Sequence, residues 1–318
     1  MKHRILIILI FISHYIVAQN SQNLIDESIK YIRSEENCEL DKVYPNIWTE
    51  YIKENIPYYN LAINELEKEN YTSAINNLDS IVTEGFLLDE ILLDTEFSKL
   101  HNHEDWYNFE KRVEEIKSKY NNDIRKKLIA VRNKDQSMRL ILLYARKLED
   151  STITKKINSK LKDIDKESAK IVSEIIDKFG WLGSDEIGSE ANQTLFLGIQ
   201  HIDDLVVQNK YLPVLKEAVK NGKAEPWHLA FLTDRILMNQ GKKQIYGTQT
   251  IISRNPENSY VVPIQNPEKV NDLRKEIGLE PLNEYLNEQG LSWDIDEYYK
   301  NLPRIEKLYM ERENNKSK

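Results

Sequence analysis

Apolar residues recur along most of this chain at intervals of three and four, the spacing that lines one face of an α-helix. The longest stripe runs from Thr154 to Phe179, through Ile157, Leu161, Ile164, Ile171, Ile175 and Ile176, with Gly180 as its C-terminal stop. Leu128, Val131, Met138, Ile141 and Leu142 mark a helix before it. Beyond a loop at Ser184–Gly188, Ala191, Leu195, Gly198, Ile199 and Ile202 fall on another, with Ser189 read as N-cap and Asp203-Asp204 as its end. Gly198 costs that helix about 1 kcal/mol relative to alanine, so a second backbone is expected to come close there. Two further helices follow, one from Tyr211 to Val219 closed by Asn221-Gly222, the other opened by Pro226 and closed by Gly241. Upstream, Leu24, Ile25, Ile29 and Ile32 predict one short amphipathic helix, and Phe109 to Lys119 another.

The period changes after Gly241. From Gln244 to Ile252 polar and apolar residues alternate and β-branched residues are frequent. With a turn at Asn255–Ser259 and the run Tyr260–Ile264, this predicts a β-hairpin over residues 243–264, which must lie against helices to be stable. A helix restarts at Asn266-Pro267 and stops at Gly278; a last short one opens at Leu279–Leu282. Residues 303–318 read as a charged, frayed tail. The predicted fold is therefore mainly α, a helical bundle with one small β-hairpin, preceded by a repeat-like helix-turn-helix region.

That preceding region carries its own pattern. Tyr58, Leu61 and Ala62, then Asn70-Tyr71, Ala74, Leu78 and Ile81, resemble one tetratricopeptide repeat, with Ala74 allowing two helices to approach and Asn70 in the turn. One repeat cannot bury its own faces, so it must pack on neighbours. An ordinary antiparallel helix pair fits the same spacing. Asn121-Asn122-Asp123 reads as a hinge, giving a division into 19–120, a helical domain over 121–302, and the tail.

At the start, Lys2-His3-Arg4 precedes the apolar run Ile5–Ala18, which is too short to span a bilayer. Residues 1–18 are thus expected to be a secretory signal peptide, the product periplasmic or secreted and without a stable membrane span. Cys38 is the single cysteine, which excludes an internal disulfide and a multi-cysteine zinc site. A net charge of −8, with basic clusters such as Arg125-Lys126-Lys127 flanked by acids, argues against nucleic acid.

From Ile124 to Tyr285 the chain resembles an uncharacterised bacterial family, a domain of unknown function. The residues that carry the resemblance are Asp135-Gln136 with Arg139, Gly180-Trp181, Gln200-His201 with Asp203, Gln208, Leu212-Pro213, Asp234-Arg235, Gly241, Gln244 and Tyr246-Gly247-Thr248-Gln249, closing on Gly278-Leu279 and Pro281-Leu282. Leu182 departs from the proline expected after Gly-Trp. The resemblance implies a mainly helical domain, and no activity.

The polar residues in this stretch offer one candidate site. His201, Asp204 and Gln208 share a helical face at i, i+3 and i+7; if the helix bends, Asp203 turns in instead. A carboxylate beside an imidazole orients it for general acid–base work. Arg235 can stabilise an oxyanion or bind a carboxylate, or else pair with Asp135 or Asp234. His201, Asp203 and Arg235 are the candidate catalytic residues; Asp135, Arg139, Gln208, Asp234, Gln244, Tyr246 and Gln249 are the candidate binding residues. The HExxH pattern, a phosphate-cradling glycine loop and a Gly-x-Ser-x-Gly elbow are all missing, so no metal or cofactor is assigned. Two classes of function stay open: a hydrolase or lyase working through His201 and Arg235, and a non-catalytic scaffold whose N-terminal helices hold a protein or peptide partner.

Overall fold

A computed structural model describes residues 19–253 and 255–316. The leader expected over residues 1–18 lies outside the described residues. Among the described residues, fifteen α-helices and one two-stranded antiparallel ribbon make a mainly α fold, as the spacing predicts. None of the described helices is long and apolar enough to cross a membrane. The helices fall into two compact units, one ending at Gly198 and the other beginning at Ile199.

The first unit opens with α1 (Gln19–Ser34), α2 (Asn37–Val43) and α3 (Ile47–Asn55). Only α1 was expected; the other two are short, and their buried residues, Leu40 and then Ile47, Trp48, Tyr51 and Ile52, are too few to show a period on their own. Next come α4 (Pro57–Glu67) and α5 (Tyr71–Thr83), packed as a pair with Ala62 and Ala74 fully buried where they approach. Leu61, expected in that packing, is 46% exposed. The turn between them places Glu69, not Asn70, in the left-handed region, while the Asn70 amide bonds the Glu65 carboxylate at 2.8 Å. A 3-10 helix, Thr95–Asn102, is capped by Asp94, whose carboxylate also takes the Tyr59 hydroxyl at 2.7 Å.

After α6 (Glu104–Lys117) come the two long helices, α7 (Asn122–Lys147) and α8 (Ser151–Phe179), which pack along each other. Asn121 is the N-cap of α7, accepting the Ile124 N–H at 3.3 Å, and Gly180 ends α8 with φ +72°. Ser184–Gly188, expected as a loop, contains a single helical turn, α9 (Ser184–Ile187). In α10 (Ser189–His201) Ser189 is already helical; the Asn192 N–H closes on the Gly188 carbonyl, so Ser189 does not cap. Gly198 meets the expected close neighbour: a Cβ there would lie 2.7 Å from Val172 Cγ2 and 3.4 Å from the Ser168 carbonyl of α8.

The second unit holds α11 (Leu205–Lys220) and α12 (Pro226–Asn239), packed as a pair. The strands, β1 (Thr250–Ile251) and β2 (Tyr260–Val261), are two residues each, paired Thr250 to Val261 and Ile251 to Tyr260. The ribbon is therefore much shorter than the alternation predicts, and Gln244–Gln249 is a turn, joined to the far side by a bridge from Gln244 to Ile264 and by the Val262 N–H, which donates to the Gln249 carbonyl at 3.1 Å. Then follow α13 (Val270–Glu276), α14 (Leu282–Asn287) and α15 (Ile295–Lys316). Of the stretch expected to fray, residues 303–316 are part of α15. Tyr298, Ile305 and Tyr309 are buried along one side; the Tyr298 hydroxyl accepts the Ile264 N–H at 2.8 Å, and the Tyr309 hydroxyl reaches the Met238 and Lys242 carbonyls at 2.9 and 3.1 Å.

Candidate functional site

In the first unit, α7 places Asp135, Gln136 and Arg139 within one turn, and α8 supplies Asp165. The Arg139 guanidinium bonds Asp135 Oδ1 at 3.0 Å through Nη2 and 3.2 Å through Nε, and also takes Asp165. Gln136 donates to Asp135 Oδ2. Asp135 is buried and Arg139 is about one quarter exposed. Burial opposes the charge on Arg139, but the two carboxylates outweigh it and raise its pKa. The two candidate binding residues of α7 thus form an ion-paired group with Asp165, a partner that the sequence reading did not single out.

The second unit holds His201 at the end of α10, half-buried, followed by exposed Asp203 and Asp204. The two acids differ in role. Asp204 is the N-cap of α11: its Oδ1 accepts the Val206 and Val207 N–H groups at 2.8 and 3.3 Å, so it faces its own helix. Asp203 makes no such cap. Gln208 is fully buried and donates from Nε2 to the Ile202 carbonyl at 2.8 Å and to the Gln200 carbonyl at 3.4 Å, while Asn239 of α12 donates to its Oε1 at 3.4 Å. An α-helix leaves its last carbonyls without partners. Gln208 fills that need and fixes the turn that follows His201.

Asp234 organises the rest. It sits on α12 with no exposed surface and collects the 245–248 turn around its carboxylate. Oδ1 accepts the Ile245 N–H at 2.7 Å, Oδ2 accepts the Thr248 N–H and hydroxyl, each at 3.0 Å, and the Tyr246 N–H lies between the two oxygens at 3.2 and 3.1 Å. Burial pushes this carboxyl up from the usual carboxylate range, and the donors work against that push. Both oxygens face donors only, so the cage is complementary to the ionised form. These donors are neutral; Arg235, the next residue of α12, is half-buried.

Gln244 and Gln249 belong to the same assembly. The buried Gln244 amide donates to the Gln249 and Val262 carbonyls at 2.9 and 2.7 Å and accepts the Gln249 N–H at 2.8 Å, mimicking a strand where no strand runs. The Gln249 side chain donates to Thr248 Oγ1 at 2.9 Å. Gly247 stands at φ +71° with a built Cβ only 2.9 Å from Leu282, so the sharp turn and the tight contact both call for glycine. Tyr246 differs: its backbone is in the cage while its ring stays half-buried. Burial raises the Tyr246 phenol pKa, helped by the charges of Asp234 and Glu276.

Arg274 and Tyr285 complete the assembly, and neither was singled out in the sequence. Arg274, fully buried on α13, donates to the Tyr246 carbonyl at 2.9 Å and the Glu280 carbonyl at 2.7 Å, with its guanidinium 4.8 Å from the Tyr285 ring centre. Tyr285 donates its hydroxyl to the Thr248 carbonyl at 2.7 Å. The available signal was an arginine four residues after Val270, on the apolar face of a short helix.

A family model described as a family of unknown function (DUF6624) matches residues 122–294, more than half of the chain. The chain belongs to the DUF6624 family. Its matched span opens on the first residue of α7 and takes in the Asp135–Arg139–Asp165 group, the His201 turn and the Asp234 cage. The resemblance to an uncharacterised family is thereby a membership. Neither a curated protein nor a solved structure matches the chain.

Proposed function

We propose that the DUF6624 domain is a hydrolase or lyase for a small anionic substrate, with His201 as acid–base group, Asp203 as its carboxylate and Arg235 as anion clamp. The observation that carries this reading is the His201 turn: a part-exposed histidine at a helix end, its flanking backbone tied by the buried Gln208 through the Ile202 carbonyl. A group meant to move protons needs access and fixed placement together. Asp204 is committed to capping α11, which leaves Asp203 as the acid for the role. Asp234, Gln244 and Gln249 support the turn after α12 and enter the proposal as positioning residues. Asp135, Arg139 and Tyr246 remain candidates for binding.

The scaffold reading draws on a different observation, that so much of the polar stretch is spent on internal bonds. His201→Ala separates the two. Under the enzymatic reading the variant keeps its thermal melt within about 0.5 kcal/mol of the parent and abolishes turnover on a panel of chromogenic esters, amides and phosphates. A marked loss of stability, or turnover by the parent that survives in the variant, would sink it. Export is proposed with it, on the strength of Lys2-His3-Arg4 and the apolar run to Ala18; N-terminal sequencing of the mature protein should begin near Gln19, and an intact Met1 would overturn it.

A further inference from the structure

The chain has five tryptophans. Four are buried, at 1–6% exposure: Trp48, Trp106, Trp181 and Trp227. Trp293 is the exception. It lies in the segment before α15 and lines an open cleft of about 240 Å³, together with the end of β2 and the first turns of α15. Its ring leans on Tyr298, centre to centre 4.9 Å at 45°, which fixes its orientation. Leaving a large apolar ring part-exposed forfeits burial energy, and such rings are concentrated where a ligand covers them.

The polar groups around Trp293 share one property. Each lines the cleft and spends one atom on a backbone hydrogen bond. Asp294 accepts the Glu297 N–H with Oδ1 at 2.9 Å and has Oδ2 to spare. Asn301 donates from Nδ2 to the Glu297 carbonyl at 2.8 Å and has Oδ1 to spare. Arg304 donates from Nη1 to the Glu257 carbonyl and retains Nη2 and Nε. The result is two acceptors and a planar donor, each with its position already set, beside an aromatic face. Sites for drug-sized molecules run to about 300–1,000 Å³; this one is sized for a single ring.

We propose that this cleft is a carbohydrate subsite, taking one pyranose unit with its C–H face on Trp293 and its hydroxyls on Asp294, Asn301 and Arg304. A ring with hydroxyls around its edge and an apolar face matches that arrangement. A flat aromatic ligand would leave the three polar groups unmatched, and a bare anion would meet Asp294 and Glu297. The subsite is separate from the His201 reading and stands or falls without it.

The test follows the indole N–H signals of the full ¹⁵N-labelled chain during titration with D-glucose, D-galactose and N-acetyl-D-glucosamine, with sorbitol as an open-chain control. The Trp293 signal is identified by its loss in Trp293→Phe. At least one pyranose should shift the Trp293 signal saturably at concentrations up to about 50 mM, the weak range expected for a single sugar unit, while the other four signals stay still. Asn301→Ala keeps the helix and should weaken binding about tenfold, as loss of one well-placed hydrogen bond does. No saturable shift with any of the three sugars overturns the proposal. So does an equal response to sorbitol, or unchanged affinity in Asn301→Ala with an unchanged melt.

Discussion

Replacing Asp234 tests the cage directly. Three N–H groups and one hydroxyl point at its carboxylate, and the Thr248 pair has no route to water because that residue is buried. Hydrogen bonds to a charged acceptor contribute about 1.5–3 kcal/mol each, and a buried donor left without a partner costs about 1–3 kcal/mol. Ile245 and Tyr246 are half-buried and can recover part of their loss from solvent. Counting the Thr248 donors fully and the others in part, Asp234→Ala should cost about 3–5 kcal/mol, at the upper end for a single substitution. Asp234→Asn is the sharper probe. It keeps the shape, but its amide NH₂ must point at backbone N–H groups whichever way it is turned, since each oxygen of Asp234 faces at least one. We therefore expect Asp234→Asn to lose most of what Asp234→Ala loses, within about 1 kcal/mol. Urea denaturation followed by circular dichroism gives the totals. Hydrogen exchange gives the location: the amides of Ile245, Tyr246 and Thr248 should lose protection, while those of α7 and α8 do not. An asparagine variant within about 0.5 kcal/mol of the parent, with those amides still protected, would refute the reasoning.

Two other predictions follow from burial and packing. His228, enclosed beside Trp227, has its pKa lowered by burial to about 3 from 6.5, so the unfolded chain takes up its proton first and stability is lost as pH falls below about 6.5. The loss should reach about 2 kcal/mol by pH 5, and urea midpoints across pH 7.5–5 should flatten in His228→Gln; an equal slope in both proteins would remove His228 as the cause. Gly198→Ala gains about 1 kcal/mol of helix propensity but drives a methyl into Val172, so a net loss of about 1–2 kcal/mol is expected. The loss should shrink when Val172→Ala is added, and a stabilised single variant would contradict the close approach.

Much of this architecture was legible from spacing. The stripe from Ile157 to Phe179 is long enough to show its period many times, and α8 ends on the expected Phe179 while starting at Ser151, three residues before the expected Thr154. Gly198 announced a close neighbour because glycine has no local reason to sit mid-helix. What failed did so where tertiary bonds override local preference. Gln244–Gln249 alternates like a strand, yet its N–H groups go to a carboxylate on a preceding helix, a contact that no window of ten residues contains. In α15 the charges and Pro303 hid a stripe of three buried residues, two of which, Tyr298 and Tyr309, bond to Ile264 and Met238, 34 and 71 positions earlier. The candidate residues were legible as residues of unusual type, but not the separation of roles. Sequence marks Asp203 and Asp204 alike, and only geometry shows that one caps a helix.

Two buried tyrosines of α15, Tyr298 and Tyr309, bear on what counts as a domain here. The family span ends at Asp294, so a comparison of relatives would draw the border there. The bonds cross that border. Tyr298 satisfies a buried N–H at Ile264, and Tyr309 closes the carbonyl end of α12, the helix that carries Asp234. A segment cut at the border of shared ancestry would carry the cage but lose the clasp on the helix beneath it. In this chain the inherited span and the span of the bonds that hold α12 are different lengths, and a ribosome must deliver fifteen residues beyond the first before Tyr309 can complete the second.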